Sequence, residues 1–227
     1  MKPFLHGLAQ SLPFAIRLFF PKSDHSVISA KARTSWRITM RFFIAALLLI
    51  SSPPLAAQHI GAGQKVALTN NQEMTAIFAA DQAARDHPAA IDWKVLLPAD
   101  KARRAQTQAL LDAGKLSSAD DFYHAAYVFQ HGDEAEDCLK AHALAVVAVA
   151  RGKREATWIA AATLDRYLQR IGQPQIYGTQ FLRPPGQKWT QEPYRRDLLS
   201  DSVRQASGVP PLAAQEGQRK DWERKLP

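Results

Sequence analysis

A single cysteine, Cys138, in a chain of 227 residues leaves no partner for an intramolecular disulfide. The usual sequence marks of catalysis are missing as well. There is no Gly-x-Ser-x-Gly elbow, no phosphate-cradling glycine-rich loop, no His-Glu-x-x-His pair and no dinucleotide fingerprint, so the chemistries those motifs carry have no basis here. Long apolar runs are also scarce. The run Phe42–Ile50 is nine residues, too short to cross a hydrocarbon layer of about 30 Å as a helix.

That run has a context. Met40-Arg41 precedes it, Ser51-Ser52-Pro53-Pro54 closes it, and the small residues Leu55-Ala56-Ala57 follow. Charge, apolar core and small residues in that order describe a secretory signal over residues 40–57, cleaved after Ala57. No cysteine stands at its end to carry a lipid. Residues 1–39 read as an over-long gene start or leader extension. The alternative of an amphipathic membrane-surface helix is limited by Pro13 and Pro21, which confine it to about two turns. The expected product is a soluble periplasmic or secreted protein with no stable membrane anchor after cleavage.

Charge follows the same boundary. The net charge is +8 and the sequence pI about 9.7, yet residues 1–57 carry seven Lys/Arg and one acid, which leaves +2 for the remainder. No basic stripe interleaved with aromatics appears after residue 57, which argues against nucleic acid as a partner.

Residues 58–69 read as a flexible linker around Gly61-Ala62-Gly63, and the sequence then turns helical. Asn70 or Asn71 predicts a cap for a helix through Arg85, closed by Asp86-His87-Pro88. A second helix is expected from Pro98 to Ala113, with Gly114 just beyond it. Ser118-Ala119-Asp120-Asp121 resembles a capping box and opens a third helix through His131. A fourth runs from Glu134 to Arg151 and a fifth from Arg154 to Ile171. Gly132, Gly152 and Gly172 are spaced by twenty residues, the length of a helix and a tight antiparallel return. The predicted fold is all-α: an up-and-down helical bundle or short helical-hairpin stack over residues 70–212, with an irregular C-terminal loop region packed on it. The fourth helix is apolar almost all round and is expected at its buried centre. At most one short helix is expected near 195–206, and residues 213–227 read as a polar tail.

The chemistry-bearing residues lie at the helix ends. On the third helix Asp121, His124, Val128 and His131 share a stripe, but seven residues separate the two imidazoles, about 10.5 Å along the axis, too far for one ion. No metal or cofactor is expected. His131 sits at a helix C-terminus, as a structural cap or as a general base. Cys138 and His142 share a helix face, where a small buried residue is the ordinary explanation for the thiol. Asp165 falls on the packed side of the fifth helix and needs partners, and the loop after Gly172 offers them. It either pins that loop or acts as a base. The loop itself, Gln173-Pro174-Gln175-Ile176-Tyr177-Gly178-Thr179-Gln180, offers amides, a phenol and a hydroxyl but no nucleophile.

Asp81-Gln82-Ala83-Ala84-Arg85, Gln130-His131-Gly132, Asp165-Arg166 and the Gly172–Gln180 segment resemble the motifs of an uncharacterised bacterial family. The likeness extends over most of residues 70–212. It implies a compact helical protein, in some members exported, and it marks a site without implying a reaction. Two functions fit these residues. One is a binding or interaction module that recognises a small polar ligand, a glycan fragment or a peptide through Arg166, Gln175, Tyr177, Thr179 and Gln180. The other is a hydrolase with His131 or Asp165 as general base and Arg166 steadying negative charge. Both expect His131, Asp165 and Arg166 to line one polar pocket beneath the loop.

Overall fold

The computed structural model describes residues 68–225; the signal and leader expectations for residues 1–57 lie outside them. The described chain is an all-α helical bundle. Its helices are α1 (Gln72–Ala83), α2 (Trp93–Asp112), α3 (Ala119–Phe129), α4 (Ala135–Ala150), α5 (Ala156–Arg170), α6 (Asp201–Ala206) and α7 (Leu212–Lys225), with a short 3-10 turn at Pro88–Ala90.

Capping chemistry places the starts. Asn71 accepts from the Met74 N–H at 2.9 Å, and Asp92 from Lys94 at 2.9 Å. Ser118 and Asp121 form a reciprocal box. Asp121 does more than cap, since it also accepts from the Asn71 N–H at 2.7 Å and so ties the start of α1 to the start of α3. His124 does not pair with it. The imidazole stacks on Phe78 instead, with centroids 4.2 Å apart, and burial lowers its pKa.

Pro98 does not open α2. The helix starts at Trp93 behind the Asp92 cap, and Pro98 lies inside it. A proline in the sixth helical position costs one bond to the Lys94 carbonyl, which is exposed and open to water. α3 stops at Phe129, so Gln130 and His131 stand just past its end.

The core forms where α4 meets α3 and α5. Ala141, Leu144, Ala145 and Ala148 of α4 pack with Ala125, Val128 and Ile159, and the small side chains allow close helix approach. α4 is not buried all round, however: Leu139 is 41% and Val146 47% exposed on its outer face. Gly152 and Gly172 end α4 and α5 with φ of 104° and 71°. Gly132 serves a different need, because a Cβ there would lie 2.1 Å from the Asp137 Cβ.

After α5 the chain is irregular from 171 to 200, held by two isolated bridges, Gln175 with Tyr194 and Leu182 with Thr190. The stretch expected as a polar tail is α7. It has few apolar side chains and docks through particular ones: Gln215 is 2% exposed, and the Trp222 ring lies 4.5 Å from Phe181 and 5.2 Å from Trp189. Among the described residues no helix is long and apolar enough to cross a membrane.

Candidate functional site

Two polar junctions form at the C-terminal half of α5, on neighbouring residues. The first is built on Asp165, which is fully buried. One carboxylate oxygen accepts from the N–H groups of Ile176 (2.8 Å) and Tyr177 (3.0 Å), the other from the N–H (2.9 Å) and hydroxyl (2.8 Å) of Thr179. Burial pushes the carboxyl above its ordinary range and these donors pull against it. All four neighbours approach as donors, so Asp165 is engaged as the pin of the loop.

The turn that aims those N–H groups requires Gly178. Its φ is 84°, and a Cβ would fall 2.1 Å from Gln215 Oε1 and 2.6 Å from the Tyr194 hydroxyl. Around it the amides satisfy one another. Gln175, with no exposed surface, donates to the carbonyls of Gln180 (2.9 Å) and Gln191 (2.5 Å) and accepts from the Gln180 N–H (3.0 Å). Gln191 donates to Gly178 O (2.6 Å) and Gln215 Oε1 (3.0 Å). Gln215 and the Tyr194 hydroxyl both reach Tyr177 O. Arg204, fully buried, donates to the Tyr194 hydroxyl at 3.0 Å. Side chains read from sequence as ligand contacts, Gln175 and Thr179 above all, therefore bond within the protein.

The second junction is charged. Asp81 on α1 and Asp100 on α2 are 1% and 3% exposed. Arg85 bridges them, at 2.9 Å to Asp81 and 2.6 Å to Asp100, and Arg103 reaches Asp100 at 2.5 Å and Asp81 at 3.5 Å. Gln82 donates to Asp81 at 2.9 Å. The His131 ring stands 3.5 Å from the same carboxylate. Arg104 donates to the His131 carbonyl at 2.9 Å, and Arg166 to the Gln130 carbonyl at 2.8 Å. The arginines thus also satisfy the open carbonyls at the end of α3.

Electrostatics here pull acid and base toward each other. Burial, with the neighbouring Asp100 charge, raises Asp81 to about 6 despite Arg85, Gln82 and Arg103. Burial and the Arg85, Arg166, Arg103 and Arg104 guanidiniums hold His131 well below its usual value. At neutral pH the ring is uncharged. The Nε–H groups of Arg85 and Arg103 are buried and make no hydrogen bond, so part of the guanidinium donor capacity beside the two carboxylates is unused.

Arg166 joins the junctions, because its Nε donates to Gln180 Oε1 at 3.2 Å while its other end holds Gln130. His131, Arg166 and Gln180 are therefore brought to one place, whereas Asp165, Gln175 and Thr179 belong to the neutral network beside it. Tyr177 is half-buried on the loop surface, with its backbone in the network. Cys138 is fully buried, and burial raises its thiol pKa; His142 is bonded to the Ala160 carbonyl at 2.9 Å. Sequence reading did not assign Asp100, Arg103 or Arg104 to the site. The partial signal was the spacing of acid and base within each helix, Asp81 with Arg85 at i, i+4 and Asp100 with Arg103 at i, i+3, which does not show that the two pairs meet.

Among the described residues no three His, Cys, Asp or Glu converge as a metal cluster would. Two open cavities lie elsewhere, against residues 184–196 and α7. The chain matches no protein-family model, no curated protein and no solved structure.

Proposed function

We propose that this is an exported helical binding module for a small polar ligand, a glycan fragment or peptide, recognised through an anionic group at the arginine junction rather than through the amides of the loop. The observation that carries this reading is a pair of buried guanidinium donors left unbonded. Arg85 and Arg103 keep buried Nε–H groups that make no hydrogen bond, the Arg103 one standing 3.5 Å from Asp81, and buried donors in native proteins generally find partners. A carboxylate or phosphate oxygen meets that need and adds charge complementarity. The loop contributes by fixing Arg166 through Gln180, which preorganises one guanidinium without touching the ligand.

The test is a thermal-shift series on the full chain with carboxylated amino sugars, short peptides with free C-termini and inorganic phosphate, each against a neutral counterpart. An anionic compound should raise Tm where its neutral analogue does not. Arg103→Lys keeps the charge but loses the Nε–H and the planar fork, and should weaken that compound about tenfold. If no anion outperforms its counterpart, or Arg103→Lys binds as well as the parent, the junction is structural only.

A second reading is hydrolysis at the same place. Its support is the uncharged His131 ring standing 3.5 Å from Asp81, whose carboxyl titrates near 6. In this reading His131 is the general base, Asp81 holds its ring, and Arg166 steadies developing negative charge. Release of product from a bound compound, lost in His131→Gln while affinity is retained, would favour the enzyme over the binder.

A further inference from the structure

The two open cavities, about 520 and 610 Å³, share Lys188 and Arg219 in their walls and so form one trough between residues 184–196 and α7. None of its residues belongs to the arginine junction. We propose that this trough is a second binding site, for an extended acidic peptide.

The charge pattern points that way. The acids in its walls are engaged: Glu192 with Arg196, Asp221 with Arg224, and Glu223 with the Trp189 N–H at 2.9 Å. The lysines are not. Lys188 has no ion-pair partner among the described residues, and Lys220 only shares Glu216, at 3.6 Å, with the closer Arg219 at 2.8 Å. Two exposed ammonium groups are left over along one trough. Below them Trp189, 5% exposed, packs at a tilt against Trp222 and leaves a small apolar surface for a side chain lying between two carboxylates. From Gly217 to Arg224 the α7 wall runs about 10 Å, the reach of roughly three residues of extended chain.

A nucleic acid fits less well, because its backbone carries a phosphate at every step and would meet Glu192, Asp221 and Glu223 in the same walls. A peptide with spaced acids places carboxylates at the lysines and uncharged residues between them.

Fluorescence anisotropy of a labelled hexapeptide alternating Glu and Leu, titrated with the full chain, tests this directly. Comparators are the same peptide with Gln for Glu and a single-stranded oligothymidylate of equal charge. The acidic peptide should bind at least about tenfold more tightly than its Gln counterpart, and the Lys188→Glu/Lys220→Glu variant should lose that margin. Both lysines are exposed, so the variant should keep the parent Tm, and Lys101→Glu on α2 should leave binding unchanged. Equal binding of the Gln peptide, or no loss in the double variant, overturns the site. Tighter binding of the oligonucleotide overturns the peptide assignment.

Discussion

Asp165 and Asp81 are both buried carboxylates, and the difference between their surroundings separates scaffold from candidate site. Around Asp165 every near neighbour is a hydrogen-bond donor already aimed at it, and the amides beyond close on one another through Gln175, Gln191 and Gln215. Around Asp81 the partners are mostly ionic and shared, with one contact at 3.5 Å from Arg103 and another at 3.5 Å from His131. A network closed on itself fixes a shape and leaves few groups for a ligand. A charged cluster with unfilled donors remains able to accept one.

The sharpest way to break this contrast is Asp165→Ala. It strands the N–H groups of Ile176, Tyr177 and Thr179, all aimed at a fully buried carboxylate. Each buried donor left unsatisfied costs about 1–3 kcal/mol, so a loss of about 4 kcal/mol or more is expected in denaturant unfolding. Loop release should also free Gln180 from Arg166. A loss below about 1 kcal/mol would mean that the loop is held by α7 alone and that Asp165 is available for another role.

Next in size is the pH dependence of the charged junction. The folded Asp81 carboxyl titrates near 6 against an ordinary 3.8, so the fold prefers it protonated. Its contribution is fully present below about pH 4 and is lost as pH rises to about 6, roughly 3 kcal/mol for a shift of this size. His131 acts with the opposite sign: the fold prefers the uncharged ring, so its contribution is present above 6.5 and lost as pH falls below that value. The two slopes oppose each other between pH 4 and 6. Asp81→Asn should therefore steepen the loss of stability on acidification, and His131→Asn should flatten or invert it. Parallel profiles for both variants and the parent would show that these groups do not set the charge balance of the junction.

Much of this arrangement was legible in the sequence, and where it was not the reasons are local. Asn71, Ser118 with Asp121, Gly152 and Gly172 mark helix ends through capping and backbone conformation, which act over a few residues. Asp165 facing the post-Gly172 loop followed from helical phase alone. Pro98 misled because proline favours a first turn, while the stronger signal, Asp92 before Trp93, carries no apolar periodicity. α7 was unreadable as a packed element because Gln215, Arg219 and Glu223 dock it by hydrogen bonds to distant residues, and polar docking leaves no hydrophobic stripe. The charged junction was half visible. Asp81, Arg85, His131 and Arg166 stood in the motifs, but Asp100 and Arg103 enter only because α2 crosses α1 there, a tertiary fact that spacing along one helix does not encode.

The smallest expected effect sharpens the boundary between the two junctions. Tyr177 is half-buried, its backbone N–H and carbonyl belong to the Asp165 network, and among the described residues its hydroxyl makes no hydrogen bond. Tyr177→Phe should therefore change stability by less than about 0.5 kcal/mol. If recognition is confined to the arginines, the same variant should leave the anion-induced Tm rise unaltered. A weaker response at unchanged stability would extend the ligand site from Arg166 across Gln180 onto the loop surface, and would return to the phenol the contact role that its place in the sequence suggests.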